Sequence, residues 1–204
     1  MAAGRRTQEE RSGATRGAVM AAARRLFASQ GFAETSIEEI LGQAGVTRGA
    51  LYHHFNGKAA IFLAVFETLE AELADRVTAA ASGAADPWGG LMAGCQAFLE
   101  ACLDPEIRRI SLLDAPSVLG LDEVRRIEGL YTLARLRAGL RACATAGEID
   151  SDGVDMLAHL LLGALAQAGT AIAQAKDAQS ARAKAWTAAR RLLEGLRLRP
   201  DRTR

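Results

Sequence analysis

Apolar residues recur along this chain at spacings of three and four with polar residues between them, so it reads as a succession of helices. Val19, Ala23, Leu26 and Phe27 form the first stripe, in a helix predicted over about 15–30, and Gly31 is placed to end it. Ile37, Ile40, Leu41 and Ala44 give one apolar face to a short second helix. Thr35 with Glu38, or Ser36 with Glu39, offers it a capping box. Gly45 breaks that helix and Thr47 is a natural N-cap for the next, with Val46 and Leu51 at the positions of a hydrophobic staple. Two short helices about a tight, glycine-bearing turn make a helix-turn-helix pattern.

The pattern continues in longer units. A helix over about 59–81 carries Ile61, Phe62, Val65, Phe66, Leu69 and Leu73, and its first turns are apolar nearly all round, as suits an element packed on two bodies. Ser82-Gly83 and Asp86-Pro87 mark a break. Further helices are predicted over 88–103, from Asp104-Pro105 to about Asp114, as one long helix over 122–146, and as a final pair over 152–175 and 179–198. There is no internal repeat and no alternating strand pattern. The expectation is an all-α fold of about nine helices. It divides into a flexible arm (1–14), a three-helix helix-turn-helix domain (15–60) and a larger helical domain (61–204). The polar, arginine-bearing arm either reaches DNA or is an inert tail.

The second short helix carries the chemistry. Turning Leu51 and Phe55 inward sends Gly49 and His53 to the opposite side, flanked by Arg48 and Tyr52. A major groove admits such a helix, offers base-edge acceptors to arginine and presents phosphates to Tyr, His and Lys. Gly49 lets the backbone lie close to a partner, whereas a helical glycine otherwise costs about 1 kcal/mol relative to alanine. Lys58 and the free N–H groups near Asn56 and Gly57 are placed to face a phosphate.

Charge sharpens this reading a little. The chain has a net charge of only +1, but residues 1–58 hold 8 basic against 5 acidic side chains, a balance of +3 that leaves −2 for the rest. Half of the residues are hydrophobic and only 5% aromatic, with four prolines, which favours helices. The first 16 residues lack an apolar core, so no secretion leader is expected and the protein is placed in the cytoplasm. The uncharged run 156–175 is long enough to span a bilayer. It contains His159, Gln167, Thr170, Gln174 and two glycines, so a buried helix at a subunit interface is the better expectation.

Other chemistry is largely excluded. Cys95, Cys102 and Cys143 are odd in number and lack metal-ligand spacing, so they are expected as small buried hydrophobes. His53 and His54 diverge by about 100° on a helix and cannot share a metal. No nucleophile–base pair, metal-spaced cluster or phosphate-binding glycine loop is present, so no catalytic residue, metal or cofactor is assigned.

The segment 14–66 resembles the DNA-binding domain of the TetR family of bacterial transcription regulators, of the TetR/AcrR type. Leu26-Phe27, Gly31-Phe32, Thr35-Ser36-Ile37 and the run from Gly45 to Phe55 carry the resemblance, and Lys58 with the apolar start of the next helix completes it. Beyond this first third the likeness is one of helical architecture. The turn at 114–120 is similar to a segment that borders the effector cavity in some branches of the family. The resemblance implies a homodimer joined through its last two helices, bound to a palindromic double-stranded DNA operator through its third helix. It also implies release by a small apolar or amphipathic effector. The expected DNA contacts are Thr35, Ser36, Thr47, Arg48, Gly49, Tyr52, His53 and Lys58, the hydroxyls both capping helices and touching phosphates. A repressor is the first expectation; an activator, or a DNA-binding protein without a ligand, stays open, and an enzyme using the helical cavity is disfavoured.

For the effector cavity, the candidate walls are Trp88, Met92, Phe98, Leu112, Val118 and Tyr131, with Asp114 and His159 as orienting polar groups. Leu99, Leu113, Leu136, Leu162 and Leu165 are further wall candidates, and Gln96, Arg109, Arg135 and Gln167 further polar ones. Ordinary helix-bundle core has the same composition.

Overall fold

The computed structural model describes residues 8–198, and these form ten α-helices and one π-helical segment. Helix α1 (Gln8–Glu34) begins well before the predicted start. Residues 8–14 are therefore helical rather than part of an arm, and residues 1–7 of the proposed arm lie outside the described residues. At Gly31 the helical run is interrupted by a left-handed φ of 85°, where predicted. That φ is one L side chains rarely adopt, which favours glycine, and the Arg109 guanidinium occupies the space a Cβ there would take.

Helix α2 (Ile37–Ala44) settles the capping question. Ser36 accepts from the Glu39 N–H while the Glu39 carboxylate receives the Ser36 N–H, which is the reciprocal capping box. Gly45 terminates α2 in the left-handed conformation (φ 65°), and Thr47 caps α3 (Arg48–His54) by accepting from the Ala50 N–H. Helix α4 (Lys58–Ser82) follows.

Two hydrophobic cores result. The first joins α1, α2, α3 and the first half of α4, through Phe27, Ile40, Leu51, Phe55, Phe62 and Leu69. The second begins on α4 at Leu73 and continues through α5 (Pro87–Ala101), α8 (Thr132–Thr145), α9 (Val154–Gln174) and α10 (Ala178–Glu194). Small residues draw α4 and α5 together: a Cβ at Gly90 would lie 3.2 Å from the Ala81 carbonyl, and one at Gly94 3.3 Å from Val77.

The connection between the cores departs from the sequence reading in three places. Residues 107–114 form a π-helical segment (Ile107–Asp114) rather than an ordinary short helix. The predicted turn at 114–120 is the short helix α6 (Ala115–Leu119), whose Ala115 is buried in the first core. The long helix expected over 122–146 is two helices, α7 (Leu121–Leu130) and α8, separated at Tyr131 (φ −115°, ψ −84°). The reason is packing. Val124 and Ile127 of α7 belong to the first core and Leu133, Leu136 and Leu140 of α8 to the second, and the break at Tyr131 turns each stripe toward its own core.

Among the described residues α9 is the one helix long and apolar enough to cross a membrane. One side of it, including Ala158, Leu162, Leu165 and Ile172, is buried in the second core, and the opposite side is exposed. The one strand-like bridge among the described residues is an isolated antiparallel pairing of Ile149 with Arg197, which ties the segment after α10 to the α8–α9 connection.

Candidate DNA-binding face and effector cavity

Helix α3 is held by two residues and presents five. Leu51 is fully buried and Phe55 nearly so, whereas Thr47, Arg48, Gly49, Tyr52 and His53 are exposed. Nothing inside the chain requires glycine at position 49: a Cβ there would meet open space and its φ is ordinary. Arg48 forms an ion pair with Glu38 of α2 across the turn. Their hydrogen bond raises the arginine's titration and holds the carboxylate below its ordinary range. Both side chains are exposed, so the pair is screened by salt and Arg48 can exchange its partner for a base edge or a phosphate.

Three of the expected contacts have work inside the fold. Thr35 is buried and donates to the Gly31 carbonyl at 2.7 Å, so its hydroxyl serves the α1 exit rather than a surface. Ser36 is half-buried within its capping box. The Lys58 ammonium donates to the carbonyls of Phe32, Ala33 and Thr35 at 2.7, 3.3 and 2.7 Å and lies 4.3 Å from the centre of the Phe32 ring. All three of its N–H donors are thus engaged, which revises the expectation of a free phosphate contact. Two contacts were not anticipated: Arg16 of α1 lies over the Phe55 ring at 5.4 Å, and Ser12 Oγ is 3.5 Å from His54 Nε2.

The second core contains a half-open cavity of about 310 Å³ between α4, α5, α8 and α9. Its walls include Phe98, Leu136, Leu162 and Leu165, and its floor and sides are made by small residues such as Ala81, Gly90, Gly94 and Gly139. Arg135 and Asp86 are its charged residues; Arg135 is exposed and donates to Thr78 Oγ1 at 3.1 Å.

Of the eight principal candidates, Phe98 alone lines this space. Trp88 is core under the Arg197 guanidinium, and Met92 packs beside it. Leu112 borders a smaller chamber. Val118 and Tyr131 pack against the first core because α6 and α7 turn that way. His159 is exposed on α9. Asp114 accepts the Phe32 N–H at 2.8 Å and pairs with Arg109, whose guanidinium reaches the Gln30 carbonyl at 3.4 Å. That cluster, with Arg24 bridging Glu72 and Glu106, fastens α1 to the π-helical segment. The small residues that create the cavity were missed. Their sequence signal is the Gly90–Gly94 pair at helical spacing facing the alanines of α4.

The cysteines are buried, and desolvation pushes the thiols of Cys95 and Cys102 up to about 12. Among the described residues no group of His, Cys, Asp or Glu side chains is arranged to hold a metal.

Comparison with known proteins decides the family. A family model described as "Bacterial regulatory proteins, tetR family" matches residues 19–65, and one described as "Tetracyclin repressor-like, C-terminal domain" matches residues 88–196. The chain belongs to the TetR family. It is similar to a TetR-family transcriptional regulator from Pectobacterium atrosepticum, 36% identical, with a TM-score of 0.82 over 96% of this chain and 100% of that one. The HTH-type transcriptional regulator TtgR of Pseudomonas putida is 40% identical over 110 residues, about half of each chain (52% and 51%). The FadR regulator of Bacillus subtilis, solved in complex with stearoyl-CoA, shares the fold at 18% identity, with a TM-score of 0.69 over 85% of this chain and 96% of that one. As a TetR-family protein the chain is a helix-turn-helix transcriptional regulator and not an enzyme.

Proposed function

We propose that this TetR-family regulator is a homodimeric repressor that binds a palindromic operator through α3 and is released when a small molecule fills the cavity of its second core. The observation that carries the reading is the division of α3 into a buried anchor, Leu51 and Phe55, and an outward face of Thr47, Arg48, Gly49, Tyr52 and His53. A glycine with no internal reason to be there supports close approach of a partner at that face. Two copies would set their recognition helices into successive major grooves of a two-fold operator.

Dimerisation through the last two helices is supported by exposed apolar residues on them: Met156 and Leu160 on α9 and Leu192 on α10 are each more than half exposed. The cavity, apolar-walled and of small-molecule size, supports an effector site. FadR, of the same fold, was solved with stearoyl-CoA, which makes a small-molecule role for this domain reasonable here. An effector that favours a spacing of the two α3 helices mismatched to one DNA turn weakens operator binding. The π-helical segment and α4, which touch both cores, would carry that change. A protein acting in this way works in the cytoplasm, where the operator is.

The test is a gel-shift titration on the DNA upstream of the gene, with Tyr52→Ala beside the parent chain and light scattering on both. The expected result is loss of tight binding with the dimer intact. Transcript levels in a deletion strain then give the sign: higher levels mean repression, lower levels activation.

A further inference from the structure

The seam between the two cores is polar. Along α4 the first core ends at Leu69 and the second begins at Leu73, and Glu70 lies between them, 5% exposed. Its carboxylate accepts from the Thr132 hydroxyl at 3.0 Å. Ser111 of the π-helical segment, Glu128 of α7 and Thr132 of α8 join Glu70 around a closed chamber of about 30 Å³. The Ser111 hydroxyl is buried and faces the same carboxyl. Glu128 is half-buried, and desolvation raises its titration too.

This chamber has acceptors but no cation. Among the described residues, no Lys or Arg lines it. Burial, opposed by the hydroxyls of Thr132 and Ser111 and reinforced by the nearby Glu128 charge, pushes the Glu70 carboxyl up to about 7, with no basic neighbour acting on it. Burying a carboxyl without a charged partner is unfavourable, and a fold that keeps one has a use for it or loses stability by it. The chamber is also not isolated. Phe98, Thr132 and Leu162 line both it and the 310 Å³ cavity, so a single layer of side chains separates the two.

We propose that Glu70 is the inner anchor of the effector site and selects a molecule with an apolar body and a protonated amine head. The body occupies the cavity between α4, α5, α8 and α9. The head displaces the wall at Phe98 and Thr132, enters the seam and donates to Glu70 beside the Ser111 hydroxyl. A space of this size holds a group as large as one water, which an ammonium matches. Occupancy then reports directly to the π-helical segment, which Asp114, Arg109 and Glu106 fasten to α1. The proposal rests on the reading of the larger cavity as the effector site and adds the chemical class of the ligand.

The test is calorimetric titration of the full-length, DNA-free protein with n-octylammonium, octan-1-ol and octanoate, which share a tail and differ in the head. The parent chain is expected to bind the amine at least about tenfold more tightly than the alcohol, as a charge-assisted hydrogen bond would give. Glu70→Gln should erase that preference while alcohol binding persists, and Asp75→Asn, exposed on the same helix and outside both spaces, should retain it. Equal affinity for the three heads, or tightest binding of octanoate, would overturn the proposal on the unmutated protein alone. So would an amine preference that survives Glu70→Gln or vanishes in Asp75→Asn. Because no DNA is present, a chain that fails to retain the operator contradicts the proposed function and leaves this result standing. Failure of the amine preference leaves operator binding untouched.

Discussion

The two cores of this protein are filled in opposite ways. In the first, Phe27, Phe32 and Phe62 meet edge-on or tilted, with ring centres 5.1 to 5.8 Å apart, and Leu51 and Phe55 of the recognition helix dock beside them. In the second, leucines, alanines, cysteines and glycines meet around open space. A close-packed head holds the α3 face in one orientation without help from DNA. A hollow body has a vacancy that another molecule can fill. On the proposed function, the dense packing lies where a surface is presented to DNA, and the open space where an effector would enter.

Several substitutions would sharpen or break that contrast. Phe62→Ala should be the most damaging, because it removes a fully buried ring from the dense core; a loss of about 3–5 kcal/mol is expected in denaturant titration. A loss much smaller than that would mean the head is not as tightly filled as its geometry implies.

The seam gives a pH dependence next in size. The unfolded chain ionises Glu70 near the ordinary 4.5, whereas the folded protein keeps its proton until about 7. Folding therefore takes up a proton between those values, and stability falls as pH rises through that window. Glu70→Gln lacks this loss, so it should match the parent near pH 4.5 and exceed it by up to about 3 kcal/mol at pH 8. Parallel pH profiles for the two proteins would rule out a buried, unpaired carboxyl at the seam.

The fastening between the regions should show a smaller stability effect. Asp114→Ala leaves the Phe32 N–H without its acceptor and Arg109 without its ion pair, at an expected cost of about 1–3 kcal/mol. Gly49→Ala is expected to have the opposite sign. It should stabilise the chain by up to about 1 kcal/mol, since alanine is the better helix former and the added methyl meets open space. If the face approaches DNA closely, the same substitution weakens operator binding.

The two regions were also unequally legible in the sequence. Caps, stops and the inward pair of α3 were readable because each is a local event: Ser36 with Glu39, Gly45 and Thr47 act within four residues of themselves. Lys58 was misjudged because its carbonyl partners, Phe32 to Thr35, are more than twenty residues away. The cavity was sought among large apolar side chains, and most of those turned out to fill space, as Trp88, Val118 and Tyr131 do. The residues that leave space, Gly90, Gly94 and Gly139, carry no hydrophobic signal of their own. The break at Tyr131 was hidden for a related reason: α7 and α8 are each regular, and only the existence of two cores separates them.

The central claim is that the outward face of α3 recognises DNA while Leu51 and Phe55 hold the helix, and Tyr52 tests it best because, unlike Thr47 and Arg48, it neither caps α3 nor pairs with α2. Its ring is 48% exposed, unlike Lys58, whose removal would also undo the α1 exit. Operator affinity by fluorescence anisotropy and stability by denaturant titration should be measured together on Tyr52→Ala. The account predicts an affinity loss of at least about tenfold, with stability changed by no more than about 0.5 kcal/mol. Unchanged affinity, or a loss that simply follows unfolding, would contradict it.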